Sequence, residues 1–406
     1  MKNKKIAAII GCLIVQLCVG ILYLWSIFRT DVSNAYGGWE GTAMVASYMV
    51  FAFVVGNFVG GIVNDHKGPK FAAVLGVVLF SAGIGLSALI SASTAGLFVL
   101  TYCICSGLGS GIAYGACISC VQKWLPHRKG LASGLAVSAF GLSTVIFTPV
   151  SKWLMEMNRD AATGLVNFKA VFAILALVFF VAGIIGCIMI SLPDKAYLES
   201  LPKVENKAVM TANRSIPLRE SIRTVPFWCL FFVIFFINGT WNLTVPLIYD
   251  LGLERGLTPA MAAFAVSITG IPNAAGRLIM ATLSDKIGRV SSLIILSVLT
   301  GFGAVCMIFA GGGFYILIVC LIAFAYGGPS PINAAMSTDF FGPKYSGTNY
   351  GVIMTGLGFS SVFFNAVSKN ILHGNIRPTF LMALVTAVVT IFLVMVLGRY
   401  AKHWND

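Results

Sequence analysis

Charge is what this chain has least of. Asp, Glu, Lys and Arg make up 10 % of its 406 residues, only 14 of them are acidic, and there are four histidines. A water-soluble domain carries about a quarter charged residues, so a soluble globular protein is excluded. The same scarcity leaves no cluster of His, Asp and Glu from which to build an enzyme centre, so no catalytic residue and no enzymatic activity are expected. No GxxxxGK[ST] phosphate loop occurs, which excludes ATP-driven work by this chain alone. The ten cysteines, among them Cys103, Cys105, Cys117 and Cys120, sit in apolar runs without ligand spacing to histidine. They read as small packing residues, with no metal and no cofactor. A short cleavable leader is not expected either. After "MKNKK" comes an apolar run of about 25 residues, long enough to span a bilayer and to be the first transmembrane helix.

What is present is apolar. Hydrophobic residues make up 58 %, with 43 glycines and 30 phenylalanines, as in helices that pack closely on one side and meet lipid on the other. Counting runs of about 20 apolar residues gives twelve spans. The first six are 6–28, 43–63, 71–91, 96–120, 131–151 and 170–192. The second six are 225–247, 259–282, 291–310, 314–337, 348–369 and 378–398. The expected organisation is an N-terminal bundle over 1–192, a polar central loop over 193–224 and a C-terminal bundle over 225–406. Nineteen Lys and Arg fall on the side of the termini and central loop, and seven on the other. By the positive-inside rule both termini are cytoplasmic, in an inner or plasma membrane of prokaryotic type. This also accounts for the net charge of +13, which is a topology signal and not a nucleic-acid footprint.

The halves echo one another. "GGIVNDHKGPK" closes the second span and "ATLSDKIGRV" the eighth, with Asp65 and Asp285 220 residues apart. "GIAYG" and "FAYGG" occupy the fourth and tenth spans, with Tyr114 and Tyr326 212 residues apart. Two features at similar offsets suggest two pseudo-symmetric six-helix bundles, an arrangement of transporters that bind substrate near the midplane. Asp65, Asp285 and Arg289 then read as gate groups at turns between spans. Asp339, at the inner end of the tenth span, reads as a gate ion pair. Arg29 and Asp31, at the outer end of the first span, are expected to pair with each other or with water.

Twelve spans in a 6+6 pattern, with "GIVNDHKGPK" and "ATLSDKIGR" at matching turns, resemble the major facilitator superfamily. "KWLPHRKGLASGLAVSAFG", "GRLIMATLSDKIGR" and "STDFFGPKYSGTNYG" are similar to the oxalate/formate antiporter group and its bacterial monocarboxylate relatives. The resemblance implies an all-α integral membrane protein with the major facilitator fold and twelve transmembrane helices. It also implies a central cavity opening alternately to each side. Arg277, eight residues before Asp285, takes the position of the group's substrate-carboxylate arginine. The second cation of the oxalate transporter is replaced here by Leu357. The acidic residue that relatives carry four before the arginine is Asn273, and the lysine that animal relatives use on the first span is missing. A monocarboxylate such as lactate or pyruvate therefore fits better than a dianion. Proton coupling is implied by the group and not by a particular residue.

The chemistry agrees at Arg277. A lone arginine in an apolar run costs several kcal/mol unless it snorkels or faces a polar cavity, and a guanidinium grips a carboxylate with two parallel hydrogen bonds. Asn273 lies one turn earlier on the same face, able to bond the carboxylate, a substrate hydroxyl or Arg277 itself. Gly270 and Gly276 thin this helix, and Pro272 disturbs its bonding. Tyr114 and Tyr326 are candidate hydroxyl donors, and Tyr23, Phe28, Asn333 and Leu357 candidate walls. The expected function is proton-coupled symport of a small monocarboxylate by a monomer in the lipid bilayer. The alternative is exchange of oxalate, formate or other small organic anions.

Overall fold

The computed structural model describes residues 2–20, 24–200, 215–372 and 375–403. Tyr23 and most of the middle of the central loop lie outside the described residues. Within the described residues the chain is helical, apart from one isolated bridge between Arg159 and Val166. Among the described residues, ten helices are long and apolar enough to cross a bilayer. They are Val45–Lys67, Pro69–Ser87, Val99–Trp124, Lys129–Met157, Phe168–Met189, Val225–Thr244, Arg289–Phe309, Gly312–Phe341, Ser346–Ser368 and Ile376–Lys402.

The other two apolar runs are each described in two helices. The first comprises helices Lys2–Val19 and Trp25–Ala35. The eighth divides at Thr269 into Pro259–Ile268 and Gly270–Ile287. Pro272 has no N–H to return to the Ile268 carbonyl, which explains a break at that point. The second piece also carries Arg277, Asp285 and Lys286 within 18 residues. Large apolar side chains stand open on the outer faces, with Leu89 74 % and Phe309 76 % exposed. Such surfaces are solvated by acyl chains and not by water, so the protein is a multi-pass integral membrane protein.

Two boundaries differ from the apolar pattern in the same way. Helix Val45–Lys67 continues through Asp65, and helix Gly270–Ile287 through Asp285. The reversal is one residue long at each place, Gly68 at φ 84° and Gly288 at φ 93°. The next helices start at once, at Pro69 and Arg289. Only glycine adopts such φ without strain. The Asp-x-x-Gly segments are thus last helical turns, which places both carboxylates on helix faces.

The chain divides into two compact units, Met1–Trp124 with Ala139–Leu201, and Leu125–Ser138 with Pro202–Asp406. The first unit is knit by glycines. A methyl group at Gly60 would lie 2.5 Å from the Ile112 α-carbon, and one at Gly76 2.6 Å from the Ala113 amide nitrogen. Trp25, Phe98, Tyr102 and Phe172 form an aromatic core, Phe98 stacked on Tyr102 at 4.9 Å. In the same unit Asp31 pairs with Arg159 at 3.0 Å, and not with Arg29. Residues two apart on a helix do not face each other. The neighbouring Asp160 accepts bonds from the Thr163 and Ala162 amides, which hold its carboxyl below the usual range.

The second unit has its core in Leu243, Ile248, Ala262, Met307, Tyr315, Val319, Phe364 and Phe380. The end of the central loop is anchored there. Ile216 N–H bonds the Phe341 carbonyl at 2.8 Å, and Asn349 Nδ2 bonds the Ile216 carbonyl at 2.9 Å. The "RESIR" stretch makes one short helical turn, Leu218–Ser221.

Candidate functional site

Arg277 lies at mid-length of helix Gly270–Ile287 and is 7 % exposed. Backbone comes close on two sides because side chains are missing there. A Cβ at Gly134 would sit 2.9 Å from the Arg277 carbonyl, and one at Gly327 3.1 Å from the Arg277 amide and against the Asn273 carbonyl. Arg277 Nε donates to Asn273 Oδ1 at 2.8 Å, and Nη1 to the Val137 carbonyl at 3.2 Å. Both acceptors are neutral. Among the described residues no carboxylate pairs with Arg277, and Nη2 makes no hydrogen bond. A buried cation without a counter-anion is costly, and the open edge of the fork is the part that binds a carboxylate bidentately.

Asn273 is half-buried; its Oδ1 accepts from Arg277, and its Nδ2 has no acceptor among the described residues. Tyr326, one residue before Gly327, stacks on Trp241 with ring centroids 4.9 Å apart and planes at 16°. Asn333 is fully buried, its Nδ2 on the Pro329 carbonyl at 3.0 Å and its Oδ1 without a partner among the described residues. Leu357 is half-buried in the same unit. Tyr114 and Phe28 belong to the first unit. Tyr114 is buried between Phe53 and Phe140, at 5.2 and 5.0 Å. Phe28 packs edge-on against Phe168 and Phe172. The position proposed for Tyr23 lies outside the described residues.

A second constellation surrounds the Gly288 turn. Asp339 accepts from Lys129 Nζ at 2.8 Å and from Arg289 Nε at 3.0 Å. Arg289 Nη1 also bonds Asp285 at 2.7 Å and Ser284 Oγ at 2.6 Å. Asp285 in addition accepts the Gly130 and Leu131 amides at 2.9 and 2.8 Å. These are free N–H groups of the first turn of helix Lys129–Met157, where a carboxylate is favoured by hydrogen bonding and by the helix dipole. The tetrad is neutral and every member is at most 8 % exposed. In the first unit the counterpart Asp65 accepts from Asn64 Nδ2 at 3.0 Å and lies within range of the Lys123 charge.

Three participants escaped the sequence pattern. Lys129 stands in "HRKG", where a basic residue reads as a topology signal. Val137 contributes only a carbonyl. Trp241 is one aromatic in an apolar run, marked only by its polar neighbours in "NGTWN". Among the described residues no group of three His, Cys, Asp or Glu is placed to hold a metal ion.

A multi-pass helical protein with a buried cation that has no carboxylate partner among the described residues fits the class of membrane solute transporters. The profile of the Major Facilitator Superfamily matches residues 6–363 and 230–406. The chain belongs to that superfamily. It is 24 % identical to the oxalate:formate antiporter of Oxalobacter formigenes, over 98 % of this chain and 94 % of the antiporter. It is 25 % identical to apicoplast pyruvate carrier 1 of Toxoplasma gondii, over 86 % of this chain and 73 % of that carrier. Among solved structures, the proton:xylose symporter XylE shares the fold, with a TM-score of 0.75, 12 % identity and coverage of 98 % and 96 %.

Proposed function

We propose that this protein carries a small organic carboxylate across the membrane, bound through Arg277. The observation that carries the reading is the buried guanidinium, which has an open edge and no carboxylate partner among the described residues. A bound anion supplies the missing charge. Without cargo the uncompensated cation opposes closure, so binding and reorientation are linked. Tyr114, Tyr326, Asn333, Leu357, Tyr23 and Phe28 remain the proposed walls. The tetrad of Lys129, Asp285, Arg289 and Asp339 acts as the inner gate, with Asp65 its counterpart in the first unit. The spread of Lys and Arg supports an inner or plasma membrane with both termini and the tetrad toward the cytoplasm. The twelve-span, two-bundle arrangement belongs to the same reading.

Two modes of coupling compete. Exchange of small organic anions draws the broader support, because the likeness to the oxalate:formate antiporter spans nearly both chains. Proton-coupled uptake of a monocarboxylate such as lactate or pyruvate is the second reading. It is favoured by Leu357 standing where the oxalate transporter has a cation, and by the pyruvate carrier among the relatives. Uptake into liposomes of lactate, pyruvate, formate, acetate and oxalate, with and without a pH gradient, separates them. Exchange predicts dependence on internal anion and no pH change; symport predicts substrate-dependent alkalinisation outside. Arg277→Lys keeps the charge and loses the fork, and should abolish most uptake. Normal uptake of every acid by this variant would overturn the carboxylate assignment.

A further inference from the structure

We propose that Asn349 and Tyr350 are positioning residues of the inner gate. Through them, and through Ile216 at the end of the central loop, the helix that carries Asp339 is held at both ends. The inference rests on the tetrad as the inner gate and deepens that reading. It also gives a role to the Asn349-Tyr350-Gly351 stretch, which the Arg277 site leaves unused.

The tenth span divides at Gly328 into helices Gly312–Gly327 and Pro329–Phe341. Pro329 and Pro331 have no N–H to return to the carbonyls of Ala325 and Gly327, so two helical bonds across the division are lost. The eleventh span holds the inner piece. At its start, Tyr350 Oη donates to the Ser330 carbonyl at 3.1 Å. At its end, where the last carbonyls of a helix lack intrahelical donors, Ile216 N–H donates to the Phe341 carbonyl at 2.8 Å. Asn349 Nδ2 donates in turn to the Ile216 carbonyl at 2.9 Å, and Asn349 Oδ1 accepts from Ser221 Oγ at 2.7 Å. One loop residue thus bridges two spans with its two backbone groups. Ile216, Ser221 and Asn349 are all buried.

Asp339 stands two residues before the bridged carbonyl, in the last turn of the held helix. Its oxygens have separate partners, Lys129 Nζ on Oδ1 and Arg289 Nε on Oδ2. Such a pairing tolerates little displacement, because hydrogen bonds weaken steeply away from their preferred distance and angle. Without the Asn349 amide, the buried Ile216 carbonyl loses this donor, which is costly. The contact that caps the tenth span then loosens, and helix ends fray first. The last part of the central loop is therefore a brace of the gate and not only a connector.

The test follows deuterium exchange, peptide by peptide, in the full-length protein in lipid nanodiscs. Asn349→Ala removes the clamp on Ile216. Exchange should rise at least about threefold in 335–342, which holds Asp339, and in 128–132, which holds Lys129. In 243–251, part of the core of the same unit, it should stay within about twofold. Tyr350→Phe removes only a hydroxyl and should loosen the same two stretches more weakly; it also serves if the alanine protein does not accumulate. In an Asp339→Asn background, Asn349→Ala should add less than about half of its effect on 128–132, since the carboxylate it positions is gone. In liposomes, uptake of the acid carried best among oxalate, formate, pyruvate and lactate should lose at least about threefold in kcat, with KM within about twofold. A rise spread evenly over the second unit, a full effect in the Asp339→Asn background, or a loss confined to KM overturns the proposal. Asp339→Asn measured alone separates the two claims. If it loosens 128–132 while the Asn349 and Tyr350 variants do not, the gate stands and the positioning role falls. If it changes neither exchange nor uptake, the gate itself falls.

Discussion

Replacing Asp285 by asparagine removes one negative charge from the tetrad and keeps its shape. The native carboxylate accepts the Gly130 and Leu131 amides and Arg289 Nη1, at 2.9, 2.8 and 2.7 Å. An asparagine oxygen can keep at most the two partners of Oδ1, the Gly130 amide and Arg289, and only as a neutral acceptor. Its amide nitrogen then turns toward another donor. Neutralising or losing the bond to a buried cation costs up to about 1.5–3 kcal/mol, and the stranded backbone N–H costs about 1–3 kcal/mol more. The total agrees with the roughly 3–5 kcal/mol of a broken buried ion pair. Arg289 then keeps Asp339 as its one carboxylate partner among the described residues, beside Ser284 Oγ. The variant should lower the thermal midpoint in detergent by roughly 5 °C or more. Transport should slow, because the conformation that needs the closed tetrad is depleted. Arg289→Gln in the same background should cost less than it does alone, by at least about 0.5 kcal/mol, since its partner is already gone. An unchanged midpoint with unchanged uptake, or strict additivity of the two changes, would refute the account.

Two further outcomes follow from the glycine contacts and the cavity wall. Gly327→Ala places a methyl group against the Asn273 carbonyl and 3.1 Å from the Arg277 amide. It should cut uptake more than tenfold through misplacement of the guanidinium, while Gly313→Ala, with open space around it, should not; equal uptake by both would remove Gly327 from the site. Leu357→Lys adds the second cation of the oxalate transporter and should raise oxalate relative to pyruvate in a competition assay. No change would take Leu357 out of the cavity.

The helices were legible because the bilayer demands long apolar runs, and Arg277 because a lone charge in such a run is conspicuous. The ends were less so. Asp65 and Asp285 look like loop residues by polarity, yet a helix continues until a residue such as Gly68 or Gly288 reverses the chain. Asp285 meets main-chain amides, which leave no trace in sequence. Lys129 carries the same signal as any basic residue at a span end, so its pairing with Asp339, 210 positions away, emerges only in three dimensions. The interruption at Thr269 was foreshadowed by Pro272, but the stacking of Trp241 on Tyr326 had no periodic signature.

The tetrad has an electrical consequence. Two cations and two anions sum to zero, so its closing and opening move no net charge through the membrane field. Arg277 differs in that its charge is balanced only while a monoanion is bound. In exchange of monoanions the site crosses loaded in both directions as a neutral assembly, indifferent to voltage. An empty crossing would carry one positive charge, for which each 100 mV is worth about 2.3 kcal/mol over the full field, so the charge that holds the cargo also ties the carrier's return to a second cargo.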